Sequence, residues 1–352
     1  MSHEFLYTAN PARVLFGPGS LARIADEVRL LGCRRALVLS TPSRREDAER
    51  LNAQLGELGA GVFGGAVMHT PVHVTEQAMA AFEDAAADCV VALGGGSTIG
   101  LSKAIAYRNG APQVVVATTY AGSEVTPILG QTENGVKTTV KGAAILPEVV
   151  VYDAELTLGL PVATSVTSGL NAMAHAVEGL YAKDRNPLTG LMAMEGLRSL
   201  KQALPAIVER PQDLQARSDA LYGAWLCGTV LGSVGMALHH KLCHTLGGSF
   251  DLPHAETHAI LLPHTAAYNA QAAAEVLASA ASLFGGELGG GLHDFAGSLG
   301  APLALEALGL RESDLDEAAD LAAQNPYWNP RPVERDAIRE LLQRAWSGTR
   351  PL

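Results

Sequence analysis

Short apolar, β-branched runs recur through the first 155 residues: Arg35–Leu39, Cys89–Leu93, Val114–Ala117 and Val149–Tyr152. Runs that stay apolar at successive positions, rather than alternating, predict parallel strands covered on both faces. Between them lie amphipathic stretches, Arg44–Leu58 and Thr75–Ala87, that read as helices. This β-α-β rhythm predicts a doubly wound parallel sheet with a ligand at the carboxyl ends of its strands. Near Leu160-Pro161 the texture changes. β-branched clusters become rare, Ala, Leu and Glu dominate, and eight or nine helical patterns follow Thr164 without a convincing strand. Two domains are therefore expected, an α/β domain over 1–157 and an all-helical domain over 158–352. The uncharged run Ala220–Leu238 is long enough to span a bilayer. Its Gly223, Gly228, Gly232 and Gly235 instead suggest a buried helix packed closely on its neighbours. Gly285–Gly291 reads as a surface connection.

The chain of 352 residues suffices for two cores. At 48% hydrophobic and 17% charged it has the composition of an ordinary globular enzyme. A net charge of −11 argues against nucleic acid, which needs clustered Lys and Arg, and against an anionic membrane surface. Cys33, Cys89, Cys227 and Cys243 form no CxxC pair and read as reduced thiols of a cytoplasmic protein. The start Met-Ser-His-Glu-Phe lacks the basic and apolar regions of a secretory signal.

Six of the eleven histidines fall in one 26-residue window, 239–264. His240 and His244 are four apart, as are Asn171 and His175 upstream, so each pair shares a helix face. Two helices offering such pairs can build a metal site or a proton-transfer site. A carboxylate at 171 would complete a metal site; the amide leaves both open.

Gly94-Gly95-Gly96-Ser97-Thr98 follows an apolar strand pattern and opens a helical one. Glycine lets the backbone approach a pyrophosphate, and the free N–H groups of the helix start bind it. The same kind of turn also occurs for purely structural reasons. The next strand ends in the hydroxyl-rich loop Thr118–Thr126, whose Thr118, Thr119 and Ser123 suit ribose and nicotinamide contacts. The first strand ends in Ser40-Thr41, with no aspartate to repel a 2′-phosphate, so both NADH and NADPH are expected to bind.

Several segments together resemble the iron-containing (group III) alcohol dehydrogenases over nearly the whole chain. They are Pro11–Gly17, Gly94–Ser97, Thr118–Thr126, Gly169–Glu178, His240 with His244 and His254, and Ala259–His264. Within that family the shortened Thr118–Glu124 loop and Asn325–Pro332 resemble the maleylacetate reductase branch. The resemblance implies the dehydroquinate synthase-like fold: an NAD(P)-binding domain over 1–157, a helical catalytic domain over 158–352, a site in the cleft between them, and a homodimer. It implies NADH- or NADPH-dependent reduction of maleylacetate, a dicarboxylate, to 3-oxoadipate in aromatic-compound catabolism. The alternative is a metal-dependent alcohol dehydrogenase. The Thr118–Glu124 loop argues against a dehydroquinate synthase-like lyase, and the four-histidine set against an inactive NAD-binding protein.

In the metal-dependent relatives an aspartate and three histidines hold the ion. The matching positions here are Asn171, His175, His240 and His254, and His244 matches a histidine beside the nicotinamide. Three imidazoles and an amide make a poor cage once the anionic ligand is lost, so no catalytic metal is expected, although three histidines alone can hold Zn²⁺. The resemblance then assigns catalysis to His175, His240, His244 and His254. Substrate contacts are expected from Asn171, Tyr120 and Lys241, with Lys103, Lys137 and Arg331 as further cations and Tyr327 and Trp328 as lining. Gly100 stands where an aspartate is usual, so that cofactor contact is absent or replaced. Ala255-Glu256 follow His254 where a glycine is usual. His3, His69, His73, His239, His258, His264 and His293 read as structural or solvent-facing.

Overall fold

The structure, a computed structural model, describes residues 5–10, 12–133 and 136–352. His3, Pro11 and the side chain of Lys137 lie outside the described residues. By packing, the chain divides into two units, one of Ala9–Leu160 and one of Pro161–Leu352 together with the described N-terminal residues 5–8.

In the first unit, six parallel strands form one sheet in the order β1-β8-β5-β4-β2-β3. They are β1 (Arg13–Phe16), β2 (Ala36–Leu39), β3 (Gly59–Phe63), β4 (Cys89–Gly94), β5 (Gln113–Ala117) and β8 (Val149–Tyr152). The four apolar runs in the sequence are the four inner strands, every residue of which is buried. The edge strands β1 and β3 are only partly covered and so carry no continuous apolar run. Helices α1 (Ile24–Leu30) and α2 (Arg45–Leu55) set Ile24, Val28, Leu51 and Leu55 against Val38, Val91, Val114 and Val116 on one face. Helices α3 (Val72–Asp84) and α4 (Gly96–Asn109) set Val74, Ala78, Leu101 and Ile105 against Leu37, Leu39 and Val90 on the other. Each such fully buried aliphatic contributes about 1.5–3 kcal/mol. A separate antiparallel hairpin, β6 (Ile128–Glu133) and β7 (Val136–Lys141), was not expected. Its sequence signal is the Asn-Gly pair between the two runs.

From β2 the chain moves outward to β3 and returns to β4 on the other side of β2. Its direction across the sheet therefore reverses between β2 and β4. Their carboxyl ends, Ser40 and the Gly94 turn, border the switch point where open α/β sheets bind ligands.

Among its described residues the second unit holds nine α-helices and no strand: α5 (Val162–Tyr181), α6 (Pro187–Glu209), α7 (Leu214–Ser233), α8 (Leu238–Ser249), α9 (His254–Ala270), α10 (Ala274–Leu283), α11 (Leu288–Ser298), α12 (Leu315–Ala323) and α13 (Arg335–Ser347). Helix α6 starts at a capping box in which Asn186 Oδ1 accepts the Leu188 and Thr189 N–H groups and Thr189 Oγ1 accepts that of Asn186. Most of the uncharged run lies in α7, where Gly223 meets Gly196 and Leu200 of α6: a Cβ at 223 would sit 2.8 Å from Leu200 Cγ. Among the described residues no single helix is long and apolar enough to cross a membrane.

The expected surface connection Gly285–Gly291 is one only at its start, where Gly285, Gly286 and Glu287 form an exposed turn; Gly289, Gly290 and Gly291 lie inside α11, and the first two are buried. The glycines allow a close approach of helices, since a Cβ at Gly289 would stand 2.6 Å from Ala267 Cβ and 2.9 Å from the Pro263 carbonyl of α9. Gly289→Ala is therefore expected to destabilise the helical unit by about 1–3 kcal/mol through overpacking, despite alanine's better helix propensity. A thermal melt that rose on substitution would contradict the packing account.

Candidate active site

At the carboxyl ends of β4 and β5, two loops of the first unit are shaped by their own side chains. A Cβ at Gly94 would collide with Thr98, and one at Gly95 would stand 2.7 Å from Thr119 Cγ2 and 2.8 Å from its Oγ1. Around Gly96 nothing lies within 4 Å of the Cβ position, so the first turn of α4 is open where a phosphate could approach its N–H groups. The hydroxyls of Ser40 and Thr98 are buried and have no hydrogen-bond partner among the described residues. Ser97 and Thr119 are half-buried and Thr118 is buried. Free donors, buried hydroxyls and a cradle that side chains would fill are what a dinucleotide's pyrophosphate and ribose require, so these residues fit NAD(P)H.

Lys103, expected as a cation for the substrate, is committed elsewhere. Its Nζ donates to the carbonyls of Ser123 (2.6 Å), Thr126 (2.8 Å) and Ile128 (2.9 Å) and to Thr126 Oγ1 (2.9 Å). Burial lowers its pKa to about 7, with Glu124 acting in the opposite sense. The lysine thus ties α4 to the hydroxyl loop. Gly100 explains the missing aspartate: a Cβ there would collide with Thr70 Oγ1. Thr70 and the preceding His69 both hold left-handed backbone, at φ 46° and 65°. Tyr120 is fully buried.

In the helical unit, three helices bring one face each to a common centre. On α5, Asn171, His175 and Glu178 stand at i, i+4 and i+7 and so form one stripe. On α8, His240 and His244 make one i, i+4 pair, and His239 and Cys243 another. On α9, His254 and His258 are four apart, with Thr265 two turns on. Glu178 organises the meeting. Its carboxylate accepts the Ala237 N–H (3.0 Å) and His239 N–H (2.8 Å) at the start of α8, and His240 Nδ1–H at 2.6 Å. An anion there satisfies donors that the helix leaves free and complements its dipole. Burial alone would raise the pKa of Glu178, but the hydrogen bond and charge of His240, with His239, hold it below the ordinary carboxylate range.

Hydrogen bonds fix the tautomers. Thr265 Oγ1 donates to the Leu261 carbonyl at 3.0 Å, so it accepts from His239 Nδ1–H, also at 3.0 Å. His239 Nε2 then bears a lone pair and accepts from His258 Nδ1–H at 2.9 Å. His258 Nε2 is left with a lone pair, as is Nε2 of a neutral His240 whose Nδ1–H is on Glu178. Both of these nitrogens, with His175 Nδ1 and Asn171 Oδ1, are buried and lack hydrogen-bond partners among the described residues. Burial and then the neighbouring imidazoles push His175 and His258 well below their ordinary pKa. Burial likewise lowers His239 to about 3. One nitrogen each of His175, His240 and His258 lies within 4.8 Å of the others. Three imidazoles, one of them backed by a carboxylate, fit a zinc-type ion even without an anionic ligand.

The remaining expected residues lie around this centre. His254 is half-buried at the start of α9 with its ring 4.3 Å from that of His258. His244 Nδ1 is 3.2 Å from the Tyr327 hydroxyl, and Lys241 Nζ lies 6.0 Å from the Tyr327 ring. Asn325–Pro332 is strapped down by paired amides: Asn329 Nδ2 donates to Asn269 Oδ1 at 2.7 Å, and Asn269 Nδ2 donates to Asn329 Oδ1 at 3.0 Å. Arg331 is exposed, stacked 4.0 Å over Tyr268, and Trp328 is exposed. His264 and His293 pair with each other away from the centre, their rings 6.4 Å apart. Sequence reasoning missed Glu178, His258 and the His239–Thr265 relay. The spacing of Glu178 from Asn171, on the face already identified, and of His258 from His254, four residues apart, carried the signal.

Comparison with known proteins agrees with this picture. Residues 11–154 match the family "Iron-containing alcohol dehydrogenase" and residues 165–346 match "Fe-containing alcohol dehydrogenase family, C-terminal". The chain is 67% identical over 347 residues to a maleylacetate reductase of Rhizobium sp. (strain MTP-10005), covering 99% of each chain. It is 54% identical over 350 residues to one of Burkholderia cepacia, again covering 99% of each. The crystal structure of maleylacetate reductase from Agrobacterium tumefaciens superposes with a TM-score of 0.96 at 66% identity, covering 99% of each chain. With both halves matched and relatives this similar along their full length, the chain belongs to the iron-containing alcohol dehydrogenase family.

Proposed function

We propose that this chain reduces maleylacetate to 3-oxoadipate with NADH or NADPH, in the breakdown of aromatic compounds. The observation that carries this reading is the full-length similarity to enzymes named for that reaction. The α/β part, assigned to 1–157, holds the dinucleotide through Ser40, Gly94, Gly95, Gly96, Ser97, Thr98, Thr118, Thr119 and Ser123. The helical part, assigned to 158–352, carries the chemistry.

Maleylacetate has a C=C bond conjugated with a ketone. Hydride from the nicotinamide adds to the alkene carbon remote from the ketone, and the electron pair moves to the ketone oxygen as an enolate. His240, held through Nδ1 by Glu178, is assigned to present its Nε2 edge to that oxygen. A donor pre-aimed at developing charge is the largest single source of catalysis in such steps. A proton from the histidine group then reaches the α-carbon and completes 3-oxoadipate, so that one hydride and one proton are consumed. His175 and His254 complete the donor group, and His244 is assigned to the nicotinamide. Asn171, Tyr120 and Lys241 are assigned to the substrate, with the lysine balancing a carboxylate in an otherwise acidic protein. A divalent ion on the imidazoles would supply positive charge to the same enolate oxygen.

Loss of NADH absorbance with maleylacetate, on protein dialysed against EDTA and then with Zn²⁺ or Fe²⁺ restored, tests the reading. Activity without metal is expected. Turnover of simple alcohols but not maleylacetate would favour a metal-dependent alcohol dehydrogenase, the reading that the converging imidazoles otherwise support. Gly95→Ala, which crowds Thr119, is expected to raise KM for NADH about tenfold or more, as about 1–3 kcal/mol of strain implies. An unchanged KM would remove this loop from the cofactor site. A homodimer in the cytoplasm is the expected form. Light scattering tests the first, and four buried free cysteines suit the second.

A further inference from the structure

We propose that Lys103 is a positioning residue for the dinucleotide, given that NADH or NADPH occupies the glycine turn and the hydroxyl loop as assigned above. Its buried ammonium is the fixed cation around which the chain from Ser123 to Ile128 folds, and it thereby sets the shape in which the loop meets the cofactor. Lys103 lies two turns into α4, the helix that opens at Gly96, and is 1% exposed. Its Nζ stands 2.6–2.9 Å from four oxygens, the Ser123, Thr126 and Ile128 carbonyls and Thr126 Oγ1. An ammonium has three N–H groups, so four oxygens gather on it as a compact charge as much as by directed bonds. No donor remains for a substrate.

Three carbonyl oxygens turned into one buried space repel one another, and burial denies them water. One ammonium answers all three. The Ser123 carbonyl also accepts the Thr126 N–H at 3.2 Å and the Thr126 hydroxyl at 2.9 Å, so the short turn Ser123–Val125 closes on the lysine. The residue pinned by its backbone is thus one whose side chain is assigned to the cofactor, and a side chain is aimed only as well as its backbone is held. The glycine turn abuts the same loop, since a Cβ at Gly95 would stand 2.7 Å from Thr119 Cγ2. Ala104, beside the lysine, packs with Leu129 and Ile145 and carries the link into β6. Glu124 supplies the opposite charge. It is fully buried, its Oε1 accepts the Tyr152 hydroxyl at 2.7 Å, and its Oε2 has no hydrogen-bond partner among the described residues. Removal of the side chain at 103 would leave the four oxygens around a space that a small ammonium ion can refill.

Binding of NADH to the full-length protein, followed by nicotinamide fluorescence, tests this without any substrate. Lys103→Ala is expected to raise Kd for NADH about tenfold or more, because a displaced contact loop loses its aim. Methylammonium chloride should lower that Kd again. Tetramethylammonium chloride at the same ionic strength, which has no N–H to donate, should not. Lys103→Ala binding NADH like the unaltered protein, or weakened binding that methylammonium leaves unchanged, would overturn the role. Because Lys103 is buried and its variant can misfold, Thr126→Val gives a second reading. It keeps the lysine and the volume but takes the hydroxyl from the ammonium and from the Ser123 carbonyl. A Kd raised about threefold or more is expected, as loss of such hydrogen bonds implies, and an unchanged Kd rejects the role. Unaltered protein that binds no NADH would instead remove the dinucleotide assignment, and this role with it.

Discussion

Replacing His240 with alanine is expected to lower turnover of maleylacetate by two or more orders of magnitude. The ring stands in the cluster, its Nδ1 held 2.6 Å from Glu178 and its Nε2 buried without a hydrogen-bond partner among the described residues. Hydride transfer to the alkene creates a full negative charge on the enolate oxygen. A fixed donor at that point contributes about 10²–10³ in rate, and a positioned proton source a comparable factor. Alanine removes both and leaves Glu178 without its main partner. KM for NADH should move little, since the dinucleotide is assigned to the other unit. Turnover within a few fold of the unaltered enzyme, with His254→Ala behaving alike, would show that the histidine cluster does not carry the chemistry.

Glu178→Gln should damage both stability and rate. The carboxylate accepts four hydrogen bonds, from Ala237, His239, His240 and the Tyr181 hydroxyl, and is almost wholly buried. An amide turns one donor toward these donors and removes the charge that complements the start of α8. Breaking a buried pair from one side costs about 3–5 kcal/mol, and loss of an orienting carboxylate behind a functional histidine about 10–100-fold in activity. Because the native state holds Glu178 below its ordinary range, its stabilisation is present above the unfolded-state value of about 4.3 and is lost as pH falls through the lower native one. The variant should therefore melt earlier at neutral pH and show a weaker loss of stability in acid. Equal melting temperatures at pH 7, with turnover intact, would show that Glu178 neither caps α8 nor positions His240.

The inner strands and the glycine turn were legible because local pattern and burial coincide there. A strand covered on both faces must be apolar at every position, so β2, β4, β5 and β8 read directly as apolar runs, whereas the half-covered edges β1 and β3 did not. Gly94–Gly96 read as a turn for a comparable reason: strand, glycines and helix are contiguous in the chain. The i, i+4 pairs on α5 and α8 were visible from helical spacing alone.

Contacts between residues far apart in the chain were decided only by the tertiary structure. The run Gly285–Gly291 suggests flexibility by composition, yet it lies partly in a helix because α9 packs against Gly289. Lys103 resembles any surface cation until four acceptors from the loop and strand after β5 close on its Nζ. Spacing placed Glu178 on the face of Asn171 and His175, but its role arises from α8 being seated upon it, 59 to 62 residues away in the chain. Likewise, spacing and resemblance singled out four of the eleven histidines but not His239 or His258. Burial and the Thr265–His239–His258 chain of hydrogen bonds single out the lone pairs that face the centre. Sequence by itself determined which residue types lie on each helix and strand face, since that follows from backbone periodicity. Which faces meet, and hence which groups lose water and which tautomers they keep, is a property of packing.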